Sequence, residues 1–519
     1  MNLRNVNVAL ISGVAALGLA ACSGTSATTA SMSTATSSST STSQSSTQST
    51  ATNVALGDVA ALNDNVESHA ETDDGTYDTT GAVAITLADG SSTVTGTGAT
   101  VDGETVTISA PGTYLLTGTL SDGQIVVDSA TEGKVRLVLD GVTVTNSSGP
   151  AVAISAADEA VVILAEGSTN ALTDGSGYDT SAQDAPNAAL FSMADLTIAG
   201  SGALTVTGNT NDGIGSKDGL VILSGDLTVT AQDDGLRGKD YVIIAGGTTT
   251  VTAQGDAVKS DNETDDTVGY VAISDGSLTV TAGDDGIHAE GDLAVTGGNV
   301  TVSESSEGLE GATITLAGGS TTVTASDDGL NSSTGTSAGS RGPGGMGDDG
   351  SMLTISGGVN ILNSGGDGLD SNGSMTITGA TTIVSGPTSG GNGSLDVNGT
   401  FTMTDGSLVA AGSSGMAEAP TTSGESGFVQ VNFTTAVAAG ATISIVSGDS
   451  VIASFTTVKE VQNIVLASAE LTDGQSYDVY LGGSLGDDTV GTYSAGGSIE
   501  GATKAGSVTA GVATGGQRG

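Results

Sequence analysis

The chain has 519 residues, of which 11 are Lys or Arg and 58 are Asp or Glu, giving a formal charge of −47. So little basic surface excludes nucleic-acid binding by phosphate neutralisation; a hydrophobic fraction of 37% excludes a disordered acidic tail, and 82 glycines fall far below the one-third of a collagen. What remains is a folded body rich in Gly, Thr, Val and Ala, the composition of strands and turns, whose excess charge calls for bound cation.

Residues 1–22 read as a signal peptide. Arg4 supplies the positive start, and Val8 to Ala21 is an apolar run too short for a permanent membrane span. The run ends Leu19-Ala20-Ala21-Cys22, which resembles the lipobox of bacterial lipoproteins, where the cysteine is acylated. Cys22 is the only cysteine, so disulfides are excluded and a thiol at the cleavage point argues for lipidation. Residues 23–52 form a Ser/Thr-rich linker. The expectation is an exported protein, lipid-anchored to the bacterial envelope and surface-exposed, with residues 53–82 as an N-terminal segment or cap.

The middle of the chain repeats. An Asp-Gly-Leu/Ile step recurs with its acid at Asp212, Asp234, Asp256, Asp285, Glu307, Asp328 and Asp367, at spacings of 22, 22, 29, 22, 21 and 39. The two long spacings hold inserted loops, DNETDDTVGY (261–270) and the Gly-rich 332–350. Each unit carries two short alternating runs, such as Leu220/Ile222 then Leu227/Val229, and a third short segment with the marker. Three strands and three turns per unit predict an all-β chain, a parallel β-helix over 83–410 with about 22 residues per coil. Leu236, Val258, Ile287, Leu309, Leu330 and Leu369 are predicted to stack inward. Residues 427–485 break the period and predict an antiparallel β unit covering the last coil; 490–519 are expected to be a flexible tail.

Stacking at strand spacing, roughly 4.8 Å, turns the marker into a column of carboxylates. Asp233, Asp284 and Asp327 add a second acid in three repeats. Neighbouring carboxylates at that pitch repel by roughly 3 kcal/mol at an effective dielectric of about 20. Calcium, which takes 6–8 oxygens, can bridge two of them; a single Asp-Gly, by contrast, is ordinary turn chemistry. The metal-ligand candidates are therefore Asp212, Asp233, Asp234, Asp256, Asp284, Asp285, Glu307, Asp327, Asp328 and Asp367. The loop Asp261–Asp266 is a weak extra ion site. Three residues after the marker lie Gly215, Arg237, Lys259, His288, Glu310, Asn331 and Asp370, with Lys217 and Lys239 two positions further on in their own repeats. The cations Lys217, Arg237, Lys239, Lys259 and His288 either balance the acids or line a groove for an anionic, hydroxyl-rich ligand.

The lipobox, the segment KVRLVLDGVTVTNSSGPAV, the repeated DDGL/DDGI units and the LTDGQSYDVYLGG ending together resemble a bacterial family of secreted carbohydrate-binding domain-containing lipoproteins. The resemblance covers roughly residues 80–485. It implies a right-handed parallel β-helix carrying calcium on the aspartates of the DDG steps, similar in architecture to pectate lyases, with plant cell-wall polysaccharides, acidic pectin-type chains included, as ligands. The chain lacks Trp and has few Tyr in its coils (Tyr241 and Tyr270), so stacking on glucose rings is poorly supported. The rival readings are a polysaccharide lyase with Lys239 or Lys259 as base, and a structural adhesin stiffened by calcium. Paired threonines such as Thr228/Thr230 read as outward strand residues. No nucleophilic triad or phosphate loop is visible. The expectation is a monomeric binding protein with calcium as cofactor, polysaccharide and membrane lipid as partners and no nucleic acid.

Overall fold

A computed structural model describes residues 59–182, 184–335, 347–423 and 426–514. The signal peptide, Cys22 and the linker lie outside the described residues. Among them the chain is all-β, with one 3-10 turn at Ala60–Leu62. Its strands form a 36-stranded mixed sheet and a separate six-stranded antiparallel sheet.

The repeat beginning at Asp226 shows why. Asp226–Ala231 alternates, with Leu227 and Val229 buried and Thr228 and Thr230 exposed. A turn carries the marker acid into the three-residue strand Leu236–Gly238, and the next strand is Tyr241–Ile244. Each segment pairs in parallel with its counterpart one repeat on: Val229 opposite Val251, Leu236 opposite Val258, and Val242 opposite Val271. The sequence period thus becomes three parallel ladders. The apolar column after the marker is in register from Ile214 through Leu236, Val258, Ile287, Leu309, Leu330 and Leu369 to Leu395, every member fully buried. Its removal from water is the main stabilising term.

The turns that join the Tyr241–Ile244 ladder to the alternating ladder, as before Thr248–Thr252, need glycine. Gly247 has φ +81°, and a Cβ there would lie 2.7 Å from the Gly225 carbonyl oxygen of the preceding repeat. Both inserts leave between a marker strand and a strand of the Tyr241–Ile244 ladder, after Val258–Ser260 and after Leu330–Ser332, and the register resumes beyond them.

The strands Gly219–Ile222, Tyr241–Ile244 and Tyr270–Ile273 are buried on both faces because residues 59–76 lie over their outer side. Leu62 and Ala70 cover Val221, Ile243, Tyr241, Tyr270 and Ala272. The Tyr241 and Tyr270 rings stack at 5.1 Å, the Tyr241 hydroxyl accepts the His69 N–H at 3.1 Å, and Tyr270 donates to the Val66 carbonyl at 2.9 Å. The segment is fixed by Asp74, fully buried between Lys134 at 2.8 Å and Arg136 at 3.3 Å.

At the other end, Val461–Ser468 pairs antiparallel with Ser407–Gly412 and with Gly427–Val437, occupying the edge that the last repeat leaves open. The six-stranded sheet follows, and it corrects one expectation. Residues 490–519 were expected to be a flexible tail, yet Tyr493–Ala495 pairs with Ser450–Thr456 and Thr503–Thr509 with Ser476–Leu481. The C-terminal unit therefore runs past 485. Its last strand, Thr503–Thr509, is mostly exposed, which is why its Gly/Ala/Ser composition hides it.

Candidate functional site

The marker acids stack as the period requires. Asp212, Asp234, Asp256 and Asp285 are buried; Glu307, Asp328 and Asp367 are half-buried. In most steps one carboxylate oxygen accepts the backbone N–H of the next repeat. Asp212 takes that of Asp234 (3.3 Å), Asp234 that of Asp256 (3.0 Å), Asp256 that of Asp285 (2.9 Å) and Asp328 that of Asp367 (2.6 Å). Each such Asp thus closes the turn above it with one oxygen. The other oxygen faces the neighbouring column.

That neighbouring column is in register from Gly215 through Arg237, Lys259, His288, Glu310, Asn331 and Asp370 to Asp396. Its upper half neutralises the acids. Arg237 lies 3.6 Å from Asp212 and binds Asp261; Lys259 lies 2.6 Å from Asp256 and 3.8 Å from Asp234; His288 lies 3.1 Å from Asp285 and 2.9 Å from Glu310. Burial alone would lower the His288 value, but Asp285 and Glu310 raise it to about 10.

From Glu310 onward the column changes sign. Burial and then neighbouring carboxylates push Glu307 to about 7, Asp328 to about 6, Asp367 to about 7 and Asp370 to about 8, although Asn331 and backbone N–H groups pull the first three down in part. Asn331 donates to Glu307 at 2.8 Å, while its own Oδ1 is buried with no hydrogen-bond partner among the described residues. The second acids stand over small residues. A Cβ at Gly255 would come within 2.8 Å of Oδ1 of both Asp233 and Asp234, and one at Gly366 would strike both Asp327 and Asp328. Asp284 and Asp327 are exposed. Three groups bring ligand atoms within 4.8 Å of one another: Asp212–Asp233–Asp234, Asp256–Asp285–His288 and Asp285–Glu307–Glu310.

Lys217 and Lys239 stand off the column, without an ion pair among the described residues. With Gly215, Asn187, Met193 and Arg237 they line a cavity of about 300 Å³. The loop expected as a weak ion site serves otherwise. Asp261 pairs with Arg237, and Asn262 and Asp265 fold back onto Thr264 and Thr267. Glu310 and Asp370 were not among the predicted ligands, although the three-residue offset from the marker points to them; Asp396 continues the column in register one repeat on, with no marker acid before it. Asn187, which donates to Asp212 at 2.6 Å, precedes the marker series and had no signal in the sequence.

A family described as carbohydrate-binding domain-containing protein matches residues 102–387. A carbohydrate-binding domain-containing protein of Acetivibrio thermocellus is 43% identical over 136 residues, 26% of this chain and 48% of that protein. The chain thus spans about half the length of that relative. Among solved structures, a polysaccharide lyase-like protein from C. thermocellum, determined as a gadolinium derivative, is similar with TM-score 0.41 and 33% identity, over 46% of this chain and 92% of that one.

Proposed function

The chain belongs to the family of carbohydrate-binding domain-containing proteins, and on that premise we propose that it binds polysaccharide at the cell surface. The three ladders close into a right-handed parallel β-helix. Its ligands are plant cell-wall glycans, acidic pectin-type chains in particular. The carrying observation is the sign change in the column beside the marker acids. Upstream, the chain supplies Arg237, Lys259 and His288, the last shared with Glu310; downstream, Glu307, Asp328, Asp367 and Asp370 follow with no ion pair among the described residues.

These residues suit calcium. They offer hard oxygen donors, among them the orphaned Asn331 oxygen and the carboxylates of Asp327 and Asp328 that close over Gly366. Bound there, the ion would supply positive charge to a uronate carboxylate. The marker carboxylates would orient it, and the solid ladder behind them would keep their spacing fixed. Hydroxyl groups of the glycan would meet the remaining polar edge of the column.

The protein acts by binding rather than by turnover. Lys259, one candidate base, is engaged by Asp256 and Asp234, which raise its proton affinity against burial. The aromatic pair is no sugar platform, because Tyr241 and Tyr270 lie beneath residues 59–76. Export and lipidation at Cys22, with residues 23–52 as a tether, would present the glycan face outside the cell.

Retention of the protein on pectate beads with calcium and with chelator tests this reading. Retention that needs calcium, with no unsaturated product by ultraviolet absorbance, is expected. Indifference to calcium refutes the ion's role; absence of glycan retention leaves the adhesin reading standing.

A further inference from the structure

The cavity beside Asp212 owes its existence to one residue. Gly215 occupies the column position that Arg237, Lys259 and His288 fill in the next three repeats. Without a side chain there, the neighbouring Arg237 and the two off-column lysines border a cavity of about 300 Å³, at the small end of ligand pockets and sized for a sugar residue rather than a chain.

Its lining carries three acids and three bases, but they are unevenly paired. Asp261 is held by Arg237, and Asp212 is shared by the Asn187 amide at 2.6 Å and Arg237 at 3.6 Å. Asp184 remains as the third acid of the lining. Against it stand two amines with no ion pair among the described residues. Lys217 is half-buried, its ammonium 6.0 Å from the centre of the Phe191 ring, and Lys239 is exposed. Burial first, then the positive charge of Arg237, holds the Lys217 amine below its ordinary value. An arriving anion would relieve that repulsion.

Resting on the glycan-binding reading above, we propose that the Gly215 notch is a calcium-independent subsite for the carboxylate of a uronic acid residue, held by Lys217, Lys239 and the outer edge of Arg237. Calcium is unnecessary here because the chain brings its own cations, whereas the downstream acids need the ion. The two halves of the column would then grip one acidic chain by opposite means. Arg237, whose terminal nitrogens meet Asp261 and Asp212, adds positive charge at the cavity edge, and the Asn187 side-chain oxygen offers a partner to a ring hydroxyl.

Calorimetric titration of the protein with tri-galacturonate in chelator tests the proposal, with its methyl ester and inorganic phosphate as comparison ligands. Binding of the free acid alone is expected, weakened roughly tenfold by Lys217→Met or Lys239→Met, the order of one charge-assisted contact. Gly215→Gln, which fills the notch, is expected to abolish it. Lys504→Met, an exposed lysine of the C-terminal sheet, controls for net charge and leaves binding unchanged. Gly215 lies in a regular strand where a Cβ meets only Ala188 at 3.2 Å and Asp212 at 3.7 Å, so the variant is expected to fold. Should Gly215→Gln melt early, the lysine variants decide. No binding in chelator, equal binding of the methyl ester or phosphate, or indifference to both lysines would overturn the subsite. Calcium-dependent retention on pectate would survive that outcome, because it depends on the downstream acids.

Discussion

Raising the pH in the absence of calcium is expected to destabilise the protein through its acid column. Glu307 and Asp367 have folded values of about 7 and Asp370 of about 8, against ordinary values of 4.5 and 3.8. Each carboxyl therefore holds its proton more tightly in the fold than in the unfolded chain. Its contribution is complete below the unfolded value, near pH 4, and is lost as pH rises through about 7 to 8. Raising one carboxyl from 3.8 to about 7, as at Asp367, corresponds to roughly 4 kcal/mol at about 1.4 kcal/mol per tenfold. Net stability of a domain is on the order of 5–15 kcal/mol, so even one such group matters. Scanning calorimetry across this range, with chelator and with saturating calcium, reads the effect. The chelated protein is expected to lose several degrees in Tm between about pH 5 and pH 8, and calcium to remove the loss by stabilising the ionised form. A Tm that stays flat or rises with pH in chelator would refute the reasoning, as would a calcium effect absent at about pH 8.

Lys259→Met leaves Asp234 and Asp256 facing each other without their cation and is expected to cost about 3–5 kcal/mol in urea unfolding, with Lys259→Arg recovering part of it. An unchanged midpoint would mean that the acids carry no charge there. Leu309→Ala opens a cavity in the innermost column and is expected to cost about 2–5 kcal/mol by the same measurement; a loss well under 1 kcal/mol would contradict its place in the core. Tyr241→Phe removes the acceptor for the His69 N–H, so a loss of about 1 kcal/mol with unchanged pectate retention is expected. Reduced retention would make that tyrosine a ligand contact.

Most of the architecture was legible because period and geometry coincide. An inward residue such as Leu236 recurs at the period of the hydrogen-bonded ladder, so a column in the sequence is a column in space. The inserts could be set aside because the marker resumes after them. Three things were hidden. The strand Thr503–Thr509 carries no apolar alternation, being held by backbone pairing on an exposed face. The cover over Tyr241 and Tyr270 comes from residues far away in sequence with no repeat to announce them. The structural role of the marker acids was only half visible. The Asp-Gly turn reading and the proposed metal reading looked like alternatives, yet a carboxylate has two oxygens, and in Asp234 or Asp328 the oxygen that closes the next turn leaves the other outside that bond, so the two are compatible.

Where that cation comes from differs along the chain, and the difference can be tested at one residue. Carboxylates stacked at roughly 4.8 Å repel by roughly 3 kcal/mol at an effective dielectric of about 20, so each repeat must answer for its own acid. Arg237, Lys259 and His288 do so for their neighbours. Asp370 holds the equivalent position two repeats beyond Glu310, and adds an acid where the others add a base. Burial and the charges of Asp328, Asp367 and Asp396 make it among the hardest groups in the column to ionise. Asp370→Asn keeps the shape and removes that charge. In chelator at about pH 8 the variant is expected to melt higher than the parent, since a repulsion is gone, while the Tm gained on adding calcium shrinks, since a ligand is gone. Opposite movement of the two quantities is the signature of an ion site. If both fall together, Asp370 is a structural acid and the ion lies elsewhere; if neither moves, the lower column does not bind calcium.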